Sequence, residues 1–136
     1  MKIVLANGCF DLLHVGHVRH LREARTMGDY LVVALTLDEH VNKGPGRPVY
    51  RWWDRYAMLS ALGCVDAVLP TARAIDAIRA VRPHIFVKGS EYRKGDIWAE
   101  EIVKVCEELG CEIRFTKVEK LTSTTDTLAK IMNVCI

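Results

Sequence analysis

The chain has 136 residues, half of them apolar and 26% charged, with a formal net charge of +2. That profile predicts a single globular domain, residues 1–136, with room for one core but not two. The near-balanced charge excludes a broad nucleic-acid-binding face, and no apolar run approaches a membrane span. The apolar start is too short for a signal peptide. Five cysteines, an odd number without framework spacing, point to reduced thiols in a cytoplasmic protein.

In chain order, the first predicted strand, Ile3–Ala6, runs through a turn into a helix over Val18–Met27. Further strands are expected at Tyr30–Leu37, Val65–Leu69, His84–Val87 and Glu112–Val118. Helices are expected at Trp53–Leu62, Ala74–Val81, Ile97–Leu109 and Thr125–Met132. Gly28-Asp29, Gly63, Pro83 and Gly110 supply the stops. Short apolar strands alternating with helices imply an α/β, Rossmann-like, doubly wound five-stranded parallel sheet with helices on both faces. Ligands of such sheets lie beyond the carboxyl ends of the strands. The chemistry-bearing residues follow strands: His14 and His17 the first, Asp38 and Lys43 the second, Lys88 the fourth, Ser123-Thr124-Thr125 the fifth.

The turn Asn7-Gly8-Cys9-Phe10-Asp11-Leu12-Leu13-His14-Val15-Gly16-His17 carries most of the information. A strand, a glycine-bearing turn and a helix start aim backbone N–H groups and the helix dipole at an anion. His14 and His17 add donors at the same point, and Gly16 allows close approach to the backbone. The pattern reads as a nucleoside triphosphate site. A zinc site would need a helical Glu or a third ligand, which are missing. Simple capping would call for Ser, Thr, Asp or Asn rather than paired histidines.

Other segments add to this point. Lys43-Gly44-Pro45-Gly46-Arg47-Pro48 is either a solvated connection or a basic loop that closes over triphosphate, Lys43 first and Arg47 second. Lys88, directly after a buried strand, places a charge over the sheet edge. Hydroxyls and free N–H groups at Ser123-Thr124-Thr125 make an anion site, an ordinary N-cap, or both. Trp52 and Trp53 suit core, a dimer contact or an acceptor wall. Cys9 is read as packing. Cys106 and Cys111 lack the second pair that a zinc site requires.

Gly8-x-Phe10-Asp11-x-x-His14-x-Gly16-His17 resembles the signature of the cytidylyltransferase-like nucleotidyltransferases, which carry the His-x-Gly-His motif. The resemblance continues along nearly the whole chain. It implies nucleotidyl transfer from an NTP to a phosphate, with release of pyrophosphate. It implies a nucleotide-binding loop at Gly8, Cys9, Phe10, Asp11 and Gly16, a phosphate-binding Lys43, and an Arg55 directed toward phosphate, the alternative being a surface arginine paired with Asp54. Asp11 either orients the loop or acceptor or braces the turn. Val65-Asp66-Ala67-Val68 resembles the usual opening of the third strand, with Asp66 structural.

Phe86-Val87-Lys88-Gly89-Ser90-Glu91-Tyr92 resembles the Val-Lys-Gly-Gly-Asp-Tyr of bacterial heptose 1-phosphate adenylyltransferases, with Ser90 and Glu91 replacing Gly and Asp. Leu121 stands where the family has Gly before the Ser-Thr-Thr start, and Lys117 or Lys120 takes the place of a nearby Arg. The implied reaction uses Mg²⁺ bridging the phosphates mostly through water, with no protein metal cage, and the implied assembly is a homodimer. Adenylyl transfer to heptose 1-phosphate is favoured. The alternatives are cytidylyl transfer to glycerol 3-phosphate or another polyol or sugar phosphate, and a nucleotide-binding module without turnover. An aminoacyl-tRNA synthetase fragment is excluded by length, by charge and by Ser-Thr-Thr where a lysine-rich motif would stand.

Overall fold

The computed structural model describes residues 1–89, 97–118 and 124–134. Five strands, β1 (Ile3–Gly8), β2 (Tyr30–Thr36), β3 (Ala67–Thr71), β4 (Ile85–Lys88) and β5 (Glu112–Phe115), form one sheet in the order β3-β2-β1-β4-β5. All four pairings are parallel. Between and after the strands lie α1 (Val15–Thr26), α2 (Trp52–Ser60), α3 (Ala74–Val81), α4 (Ile97–Leu109) and α5 (Thr124–Val134).

Alternation along the strands divides the core in two. Val4, Ala6, Leu31, Val33, Leu35, Ile85 and Val87 pack with Leu21 and Ala24 of α1 and Leu59 of α2. Leu5, Val32, Ala34 and Phe86 face the other way, onto Ala77 and Ile78 of α3 and Ile102, Val105 and Cys106 of α4. The central strands β1, β2 and β4 are therefore buried on both faces, which is why they read as apolar runs, whereas the edge strands β3 and β5 are only partly covered. Chain order reverses between β1 and β4, the switch point where such sheets open a crevice.

Most element boundaries shift by one to three residues from expectation, and some do so for local reasons. β3 starts at Ala67 because Asp66 is occupied otherwise: its carboxylate accepts from Leu31 N at 2.8 Å and from Arg25 Nε at 3.0 Å. Asp66 is thus structural, as expected. Pro70 is tolerated because β3 is an edge strand. A 3-10 turn, Asp38–His40, follows β2 and has no apolar periodicity to announce it. β5 ends at Phe115, level with the last residue of β4, Lys88. Among the described residues no helix is long and apolar enough to cross a membrane.

Candidate active site

The two histidines do cap α1, contrary to the expectation that only the usual short polar residues would. His14 is the N-cap residue, and its Nδ1 accepts from Gly16 N at 3.1 Å. His17, three residues on, turns its Nδ1 back to accept from His14 N at 3.3 Å. This is a capping box with imidazoles in both roles. The consequence is chemical. An Nδ1 that accepts carries no proton, so the neutral ring bears it on Nε2, on the side away from the helix backbone. Capping and donation are compatible uses of one ring.

The rings stack at a centroid separation of 3.7 Å and 24° between planes, and His17 meets Phe10 edge-on at 5.2 Å. Burial, then the neighbouring His14, His20 and Lys43, push the His17 pKa down to about 3. His17 is therefore a neutral donor at ordinary pH.

The loop beneath is held in an unusual conformation. Phe10 has φ 45°, in the left-handed region, yet is buried. Its ring lies over Gly8, where a Cβ would come within 2.9 Å of Phe10 Cε2, so Gly8 is needed for its missing side chain. Such backbone persists only where neighbours over-determine it. Gly8 O accepts from Thr36 Oγ1 at 3.2 Å, and Asn7 Nδ2 donates to Ala34 O at 3.0 Å.

Asp11 is the centre of that bracing. Its carboxylate accepts from Val49 N at 2.7 Å, Tyr50 N at 2.9 Å and Arg47 Nε at 2.9 Å. Burial works to raise its pKa, but the two amides and the guanidinium outweigh it and hold the carboxyl below its ordinary value. Of the two readings of Asp11, the contacts describe the brace. Arg47, expected as a second phosphate-facing cation, is instead drawn into this ion pair, with both side chains nearly buried. Its Nη1 also lies 3.5 Å from Thr125 Oγ1.

Arg55 is not at the surface with Asp54. It is fully buried. Nε donates to Tyr50 O at 3.0 Å, Nη1 to Cys9 O at 2.8 Å and Nη2 to Asp38 Oδ1 at 2.6 Å. Its three nitrogens thus join the turn after β1, the segment before α2 and the 3-10 turn. Asp38 is engaged as its partner, and Cys9 contributes its carbonyl. Trp52 is core, with Nε1 donating to Leu35 O at 2.9 Å, whereas Trp53 is 73% exposed.

Lys43 stands exposed, close enough for its charge to bear on His17. Lys88, at the end of β4, is largely buried with Nζ 5.8 Å from the Phe86 ring centroid, and Gly89 follows it. Thr124 opens α5 with Oγ1 3.3 Å from both Leu12 N and Leu12 O, placing the start of α5 against the histidine turn. Gly16, His14, His17, Thr124 and Thr125 thus lie on elements that meet at the carboxyl end of β1. Ser123, with Ser90, Glu91, Lys120 and Leu121, lies outside the described residues. Among the described residues no group of three or more His, Cys, Asp or Glu could hold a metal ion.

The chain is 42% identical over 135 residues to the bifunctional protein HldE of Vibrio cholerae serotype O1 (strain M66-2), covering 96% of this chain and 28% of that protein. It is 43% identical over 136 residues to the HldE of Desulfatibacillum aliphaticivorans, covering 97% and 27%. The chain therefore spans little more than a quarter of these relatives. The lipopolysaccharide core biosynthesis protein from Thermoplasma volcanium GSS1 superposes with a TM-score of 0.71 at 29% identity, over 90% of this chain and 99% of that one. The profile described as Cytidylyltransferase-like matches residues 5–129, and the chain belongs to the cytidylyltransferase-like family of nucleotidyltransferases.

Proposed function

We propose that this chain transfers an adenylyl group from ATP to a sugar phosphate of the heptose 1-phosphate type and releases pyrophosphate. The observation that carries the reading is the pair of histidines. Both Nδ1 atoms are spent on the start of α1, so both rings are fixed as Nε2 donors where β1 ends. The kinship with HldE and with a lipopolysaccharide core biosynthesis protein supports a phosphorylated sugar as acceptor.

In this reaction an oxygen of the sugar phosphate attacks the α-phosphorus. A new P–O bond forms, the bond to the β-phosphate bridging oxygen breaks, and its electron pair leaves with pyrophosphate. Little covalent help is needed; alignment and neutralisation of charge do the work. His14 and His17 donate to phosphate oxygens as charge grows, and His17 does so without first losing a proton. Lys43 meets the triphosphate from its exposed loop, while Lys88, Thr124 and Thr125 hold phosphate from the ends of β4 and α5, with Ser123 assigned the same role from the sequence alone.

Nucleotidyl transfer generally uses a divalent metal. Mg²⁺ would serve, held chiefly by the phosphates of the nucleotide. When bound it offsets phosphate charge.

The test is pyrophosphate release with Mg²⁺, crossing ATP, CTP, GTP and UTP against a panel of sugar and polyol phosphates. ATP with a heptose 1-phosphate is the pairing expected. CTP with glycerol 3-phosphate would replace it with cytidylyl transfer. Silence across the panel with nucleotide binding intact would favour a binding module.

A further inference from the structure

Helix α1 does more than present His17. On the same stripe, at steps of three, stand His20 and Glu23, and both reach the chain where it leaves β5. His20 Nδ1 and Thr116 Oγ1 share a hydrogen bond of 2.8 Å, and Thr116 is buried. Both carboxylate oxygens of Glu23 accept from Lys117 N, at 3.0 and 2.8 Å. The β ladder gives its last amide contact at Thr116 N, which donates to Lys88 O at 2.9 Å. One residue later Glu23 supplies the acceptor that the sheet no longer offers. Beyond this connection, Thr124 is tied to Leu12 in the histidine turn. Both ends of the path from β5 to α5 are thus fastened to α1 or to the loop that leads into it.

Resting on the nucleotidyl-transfer reading, we propose that Glu23, with the His20–Thr116 pair, is a positioning residue for nucleotide binding. It sets where the start of α5 stands relative to His14 and His17. Glu23 touches no substrate. A charged acceptor on a single backbone amide fixes that amide more firmly than a neutral one. The rigid helix between His17 and Glu23 then makes the two phosphate-binding arms one unit. Loss of Glu23 releases Lys117, at the β5 end of the path to α5, without disturbing the histidine caps, so the effect falls on nucleotide affinity.

The experiment compares Glu23→Ala, Glu23→Gln and Thr116→Val with wild type in steady-state pyrophosphate release and thermal melts. Nucleotide affinity is also read directly by calorimetry. Glu23→Ala should raise KM for the nucleotide about tenfold while kcat stays within about twofold. Glu23→Gln, which keeps a carbonyl acceptor, should recover most of that loss. Thr116→Val, nearly isosteric, should show a smaller rise and serves if Glu23→Ala fails to fold. A lowered melting temperature with unchanged nucleotide KM would make Glu23 a structural brace only and overturn the proposal, as would an effect confined to kcat or to the acceptor. Wild-type turnover with unaltered variants sinks the positioning role alone. Absence of both turnover and nucleotide binding in wild type sinks the functional reading as well.

Discussion

The turn after β1 and the connection between β2 and α2 reach the same edge of the sheet and are built in opposite ways. In the turn, every few atoms are tied. The two histidine rings cap each other's backbone, Phe10 is locked over Gly8, Asp11 gathers three donors and Cys9 O is held by buried Arg55. In the connection, residues 43–46 are exposed, and its glycines sit at φ 95° and 75° with open space where a Cβ would point. The constraint returns abruptly at Arg47, pinned to Asp11. Donors to a transition state gain most from being fixed beforehand. A cation that must admit triphosphate and let pyrophosphate go gains from standing free of the fold. The site joins one part of each kind.

The largest expected effect comes from separating the two duties of His17. Glutamine is itself a capping-box residue at the third helical position. His17→Gln should therefore keep the start of α1 and leave the melting temperature and nucleotide binding near wild type. Turnover should still fall by about 3 kcal/mol, a hundredfold or more, as when one fixed donor is removed. Turnover close to wild type would reduce the ring to a cap.

Arg55→Met tests the bracing beneath. It leaves the part-buried carbonyls of Cys9 and Tyr50 without their guanidinium donor, while Asp38, its side chain 37% exposed, can turn to water. A loss of about 3 kcal/mol in urea unfolding is expected, short of the full cost of stranding a buried charge. Wild-type stability with weakened nucleotide binding would instead make Arg55 a phosphate ligand.

These two residues also mark where the sequence was legible. The sheet was, because strands buried on both faces must be short apolar runs and the helices between them must fill one crossover each. The histidine pair stood out by its spacing but not as caps, since imidazole is an uncommon N-cap and its Nδ1 contacts depend on ring orientation. Arg55 was not: its partners Cys9 and Asp38 lie 46 and 17 residues away, and only the closed fold brings them to one guanidinium. The partner of Arg47 was hidden for the same reason. A basic residue in a Gly-Pro loop looks solvated until Asp11, 36 residues earlier, is seen beside it. His20 and Glu23 carried a faint signal, the step of three after His17, without a partner to give it meaning.

Lys43→Ala probes the open half. The side chain is exposed, so stability should not change, while kcat/KM should fall about tenfold through the lost charge at the triphosphate. If the melting temperature fell as well, Lys43 would belong to the braced half and the contrast between the two regions would weaken.

The smallest effect is a pH dependence that belongs to the braced half alone. Folding lowers the His17 pKa from 6.5 to about 3. Between those values the unfolded chain takes up a proton that the folded chain refuses, so stability rises with pH through this window and is lost as pH falls from about 6.5 toward 3. From pH 7 to pH 6 this linkage amounts to about 0.7 kcal/mol. Asp11 acts in the same direction but lower: its folded pKa lies below 3.8, so its contribution is intact above 3.8 and is lost as pH falls through the folded value. Urea unfolding of wild type and His17→Gln at pH 7 and pH 6 isolates the first term, because every other titrating group is shared. Wild type should lose the extra 0.7 kcal/mol or so. Equal losses would mean that His17 accepts a proton in the folded state, and the neutral-donor role would fall with it.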